Sequence, residues 1–77
     1  MKILVIGAGS IGRRHIKNLN FLGYTNIDVV DINDTNLKYV KKNFKIRNVF
    51  NNFKDALSSG SYNVAFVLTP PIYHIPI

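Results

Sequence analysis

The segment Gly7-Ala8-Gly9-Ser10-Ile11-Gly12 narrows the possible folds more than any other part of the chain. Before it stands Lys2–Ile6, a β-branched and apolar run that suits a strand buried on both faces. After it comes a helical pattern reaching Leu22, with Gly12, Ile16 and Leu19 on one face. A G-x-G-x-x-G run between a strand and a helix has a mechanical meaning. Gly7 permits a tight turn out of the strand, Gly9 leaves the backbone open to a pyrophosphate, and Gly12 lets the helix pack closely on the sheet. The amides of Ser10 and Ile11 then point from the positive end of the helix toward a phosphate. The alternative use of such a loop is packing alone.

The rest of the chain alternates the same two signals. Gly23 stops the first helix. Ile27–Asp31 reads as a second strand. Asn33 or Asp34 caps a second helix, whose apolar stripe is Leu37, Val40 and Phe44. Val49-Phe50 is a short third strand. Asn51 or Asn52 caps a short helix with Phe53, Ala56 and Leu57 as its buried face; if Asn52 is the cap, Asp55 sits where its charge suits the helix dipole. Ser58-Ser59-Gly60-Ser61 is a turn, and Val64–Leu68 is a fourth strand stopped by Thr69-Pro70-Pro71. With right-handed crossovers this order predicts an α/β fold: a partial, Rossmann-type doubly wound parallel sheet of strand order 3-2-1-4.

Ligands of such sheets bind beyond the strand C-termini at the switch point, here between the first and fourth strands. The glycine loop, Asp31 and Thr69–Pro71 all fall on that rim. Asp31 lies 19 residues beyond Gly12, close to the spacing of about 20 for an acid that accepts from ribose hydroxyls. Its alternative role is as a cap for the second helix. A carboxylate there repels a 2′-phosphate, so the expected cofactor is NAD rather than NADP. Arg13 and Arg14 either offset the cofactor phosphates, pair with an acid, or face solvent. His15 packs or faces solvent. Thr69, Pro70 and His74 leave the fourth strand beside the crevice and are expected to contact the cofactor, unless the segment is only a stiff connection into another helix.

Composition excludes several classes. The 77 residues allow one small domain, and a domain of this size buries only roughly 60–65% of its unfolded surface. There is no cysteine, which rules out disulfides and thiolate metal sites and makes a cytoplasmic setting the simplest one. The apolar run before Gly7 is too short for a secretory signal, and no stretch reaches the roughly 18 apolar residues of a membrane span. The net charge is +6, but the cations are scattered among asparagines. They read as a solvated surface with some attraction for phosphates and do not indicate a nucleic-acid partner.

Taken together, Lys2–Ile6, Gly7 to His15, Asp31, and Val64–Leu68 followed by Thr69-Pro70-Pro71 and His74 resemble the N-terminal domain of the glucose–fructose oxidoreductase, inositol dehydrogenase and rhizopine-catabolism oxidoreductase family, Gfo/Idh/MocA. The Thr-Pro-Pro…His exit is its most telling part. The resemblance implies a hydride-transferring oxidoreductase acting on sugars, inositols or related alcohols. It implies the pyrophosphate on Ser10 and Ile11, the adenine ribose on Asp31, Thr69 and Pro70 on the nicotinamide side, and His74 at the start of a next helix. Relatives carry a Glu-Lys-Pro motif with a catalytic lysine and a C-terminal substrate domain; neither is matched within residues 1–77. The chain therefore reads as the N-terminal portion of a dinucleotide-binding domain, inactive by itself, with a small-molecule substrate only in a full-length relative. An NAD-sensing regulatory module and a remnant that binds nothing are the competing readings. The fourth strand, all apolar and without protective charges, is expected to pair with another copy, giving a homo-oligomer.

Overall fold

The computed structural model describes residues 1–68. Strands β1 (Ile3–Ile6), β2 (Ile27–Val30), β3 (Asn48–Phe50) and β4 (Val64–Val67) alternate with helices α1 (Ser10–Phe21), α2 (Asp34–Asn43) and α3 (Phe53–Ser58). The strands form one parallel sheet in the order β3-β2-β1-β4. This is the partial Rossmann arrangement that the alternation of strand and helix signals predicts. Ile3 lies opposite both Ile27 and Val64, so the two central strands and β4 begin level with one another. Their C-terminal ends consequently share one rim.

The side chains divide by strand parity, because successive residues point to opposite faces. Ile3, Val5, Ile27 and Val29 pack under Ile16 of α1 and Leu37 and Val40 of α2. Leu4 and Val30 face the other way and meet Ala56 of α3. The stripes expected for α1 and α2 are the buried ones, with Leu19 and Phe44 closing the edge of the core. On α3 the expected face is only partly right. Ala56 is buried, but Phe53 and Leu57 remain 47% and 53% exposed. The helix is six residues long and packs mainly on β2 and β3, so two of its three apolar residues stay largely uncovered by the described residues. Val67 on the same side of β4 is 67% exposed.

The helix ends follow local chemistry. Asn33 caps α2, its side chain accepting from the Thr35 and Asn36 amides. Asn52 caps α3 reciprocally with Asp55: its oxygen accepts from the Asp55 amide and its Nδ2 donates to the Asp55 carboxylate. At the end of α1 the Tyr24 amide reaches back to the Leu19 carbonyl and the Gly23 amide to the Asn20 carbonyl, the paired bonds of a Schellman turn. β1 starts one residue later than its apolar run, where the Lys2 amide turns to the Asn63 side chain at 2.7 Å.

One residue in β2 breaks the apolar pattern. Asp28 is completely buried. Its Oδ2 accepts a 2.7 Å hydrogen bond from the Tyr62 hydroxyl, and its Oδ1 has no partner among the described residues. Partial burial pushes the Tyr62 phenol above its ordinary range, with the neighbouring carboxylate acting in the same direction and a bond from Ser59 opposing it. A buried polar group left without its donor costs about 1–3 kcal/mol, whereas replacing both partners by apolar groups is close to neutral. Urea unfolding is therefore expected to show Tyr62→Phe less stable than the parent by about that amount. Asp28→Leu combined with Tyr62→Phe should recover most of it. An unchanged midpoint for Tyr62→Phe alone would show that the bond contributes nothing.

Candidate functional site

The rim at the C-terminal ends of β1 and β2 is built around the glycine loop. β1 hands over to Gly7, whose amide bonds to the Val30 carbonyl at 2.7 Å. Gly7 then turns with φ of 105°, a conformation open to glycine at little cost. The turn brings the chain directly under α1. A Cβ placed on Gly12 would stand 1.9 Å from the Gly7 carbonyl oxygen, so only a residue without a side chain permits this approach. Gly9 is different. A Cβ there would meet nothing within 4 Å among the described residues, and its φ of −74° suits any residue. The protein's own packing does not require a glycine at position 9; the space beside its backbone is open.

Gly9 is also the N-cap of α1, and no side chain caps that helix. The first turns of α2 and α3 each hold a capping asparagine and an aspartate. The first turn of α1 has no acid. A helix leaves its first four N–H groups without intrahelical partners, and among the described residues neither a side-chain cap nor a carboxylate answers those of Ser10 and Ile11. The dipole and the free donors favour an anion beside Gly9, where a side chain would otherwise stand. An open cradle against uncapped amides fits a pyrophosphate. Gly12 is required by packing, whereas the packing of the described residues makes no such demand at Gly9.

Asp31 follows β2 on the same rim. It does not cap α2, which Asn33 does. Its Oδ2 accepts from the Ala8 amide at 2.8 Å and from Asn36 Nδ2 at 3.1 Å, and its Oδ1 accepts from the Asn33 amide at 2.8 Å. The carboxylate therefore ties the glycine loop to the start of α2. Each carboxylate oxygen accepts about two hydrogen bonds, so among the described residues one position on Oδ1 is not taken.

Arg13 neither pairs directly with an acid among the described residues nor simply faces solvent. Its Nε donates to the Ala8 carbonyl and its Nη2 to Asn36 Oδ1, each at 3.0 Å, while the guanidinium lies 3.8 Å over the Tyr39 ring. Sequence reasoning missed this network. Neither Asn36 nor Tyr39 belongs to a motif, and their meeting with Arg13 depends on the packing of α1 beside α2. Arg14 is exposed, and His15 packs its ring 5.8 Å from that of Phe66. Thr69, Pro70 and His74 lie outside the described residues. No group of three or more metal-ligating side chains occurs among the described residues. None of their helices is long and apolar enough to cross a membrane.

Residues 1–77 match the profile of GFO_IDH_MocA, described as an oxidoreductase family with an NAD-binding Rossmann fold. Two proteins of Dictyostelium discoideum, SUMO-activating enzyme subunit 2 and the NEDD8-activating enzyme E1 catalytic subunit, are each 41% identical to this chain over 46 residues. That stretch covers 60% of this chain but only 7% and 10% of the two proteins. No solved structure matches the chain significantly.

The two glycines should separate by substitution. Gly12→Ala forces its new methyl into the Gly7 backbone and is expected to cost at least about 3 kcal/mol, the scale of a severe core overpacking. Gly9→Ala is expected to change stability by less than about 1 kcal/mol. Thermal unfolding of both variants checks this; equal losses would mean that Gly9 is also there for the fold.

Proposed function

This chain belongs to the oxidoreductase family with an NAD-binding Rossmann fold, and from that premise we propose that it holds NAD for an enzyme acting on a sugar, inositol or related alcohol. The pyrophosphate lies on the Ser10 and Ile11 amides beside Gly9, with Gly7 and Gly12 shaping the loop. The adenine ribose donates to Asp31. The observation that carries the reading is the uncapped N-terminus of α1 facing open space at Gly9. Bound NAD supplies the hydride acceptor; the residues described here bind and orient it. The family resemblance adds Thr69 and Pro70 on the nicotinamide side and His74 nearby.

The match over residues 1–77 favours an oxidoreductase over an NAD-sensing module, and over the activating enzymes that share only 46 residues. Hydride transfer needs a substrate held against the nicotinamide and a group that moves the hydroxyl proton. The Glu-Lys-Pro lysine that does this in relatives has no counterpart in these 77 residues, which contain no glutamate. We therefore expect the 77-residue chain alone to bind cofactor without turning over substrate. The absence of cysteine fits a cytoplasmic protein.

Cofactor choice follows from charge. A 2′-phosphate about 4 Å from the Asp31 carboxylate meets a repulsion of roughly 4 kcal/mol at an effective dielectric of 20. Fluorescence titration is expected to give NADH at least about tenfold tighter binding than NADPH, and Asp31→Asn should narrow the gap. Tighter binding of NADPH by the parent would overturn the assignment of NAD, and no binding of either would overturn the functional reading.

β4 lies at the edge of the sheet, and its Val64-Ala65-Phe66-Val67 carries no lysine, proline or charge to discourage pairing. The 77-residue chain is expected to form a dimer or larger species at micromolar concentration, against a +6 charge that salt screens over about 8 Å. Sedimentation equilibrium checks this, and a clean monomer of 8.7 kDa is the contrary result.

A further inference from the structure

Four hydrogen bonds close a ring on the rim. The Ala8 amide donates to Asp31 Oδ2, Asn36 Nδ2 donates to the same oxygen, Arg13 Nη2 donates to Asn36 Oδ1, and Arg13 Nε donates to the Ala8 carbonyl. Both polar groups of the Ala8 backbone are thereby held, one by the acid and one by the cation. Asn36 stands between the two charges and can face only one way, since its amide nitrogen must meet the carboxylate and its oxygen the guanidinium. Tyr39 supports the guanidinium from below at 3.8 Å, a contact that planar arginine makes better than lysine.

The ring has a consequence for the ligand. Among the described residues, Asp31 Oδ2 already accepts two bonds, which exhausts it, whereas Oδ1 accepts only the Asn33 amide. We propose that Arg13 and Asn36 are positioning residues: they hold Asp31 Oδ2 against the glycine loop and present Oδ1 to a single ribose hydroxyl. The inference rests on the dinucleotide reading above. It narrows that reading from an acid that grips both hydroxyls to one that grips one. Neither positioning residue touches the ligand. Arg13 acts through Asn36, and Asn36 acts through the carboxylate. Without Asn36 the carboxylate keeps the Ala8 and Asn33 amides but loses its one side-chain donor among the described residues, and the direction in which Oδ1 faces the ribose is no longer fixed.

The test pairs variants of the protein with variants of the ligand. NADH and its two analogues lacking the 2′- or the 3′-hydroxyl of the adenosine ribose are titrated against the parent, Asn36→Ala, Arg13→Lys and Arg13→Gln. A hydrogen bond to a charged group is worth on the order of ten- to a hundredfold in affinity. The parent is expected to lose about that much with one of the two deoxy analogues and little with the other. In Asn36→Ala the penalty for that analogue should shrink to less than about threefold, while its own affinity stays close to that of the parent. Arg13→Lys should retain part of the penalty and Arg13→Gln less. If one arginine variant fails to fold, by circular dichroism, the other and Asn36→Ala still decide. Equal weakening of all three ligands in Asn36→Ala would mean a purely structural role and would overturn the proposal. So would equal penalties for the two deoxy analogues in the parent. No binding of NADH by the folded parent would instead sink the dinucleotide reading, and this inference with it.

Discussion

The site depends on how closely the first turn of α1 lies against the end of β1. The place that Gly12 leaves for a Cβ is already taken by the Gly7 carbonyl, and Gly7 reaches that position only through a left-handed turn. This contact carries little energy of its own, being backbone against backbone. What it sets is direction. With Gly12 pressed on Gly7, α1 starts at the rim, its Ile16 falls into the core beneath the sheet, and its first amides are aimed outward past Gly9. Moving the helix away by the thickness of a methyl group would both loosen the core and turn the amides aside.

The second half of the rim is organised by charge. Asp31 is held by the Ala8 and Asn33 amides and by Asn36, and Arg13 completes the circuit back to Ala8. The loop and the acid therefore cannot move independently. A rigid loop spends little conformational entropy when a ligand arrives. The cost is that most of the carboxylate's accepting capacity is already committed within the protein. Asp31 is thus built into the fold, which leaves little room for substitution even to glutamate, whose longer chain would displace the oxygen from the Ala8 amide.

Much of this was legible in the amino-acid sequence because it rests on local rules. Strand order follows from the alternation of apolar runs and helical stripes, and Gly7 and Gly12 have roles fixed by backbone sterics. The caps were legible as a choice between neighbours, Asn33 or Asp34 and Asn51 or Asn52, and geometry selected Asn33 and Asn52. What escaped was everything that needs two distant segments side by side. The Asp28–Tyr62 pair spans 34 positions, and the link from Arg13 to Asn36 spans 23. Asp28 did carry a signal, an acid in the middle of an apolar run, but nothing local names its partner. The apolar face assigned to α3 holds only at Ala56, for the opposite reason: periodicity says which residues share a face, and does not say whether anything covers it.

The function proposed for the rim requires that the amides at the start of α1 receive a pyrophosphate. Amide chemical shifts in nitrogen-15 spectra, followed while NAD is added, test it at the atoms concerned. The largest changes are predicted at Gly9, Ser10, Ile11 and Gly12, with a second group at Asp31 and Asn33, and inorganic pyrophosphate alone should move the first group without the second. Binding that shifts resonances elsewhere and leaves Ser10 and Ile11 in place would contradict it.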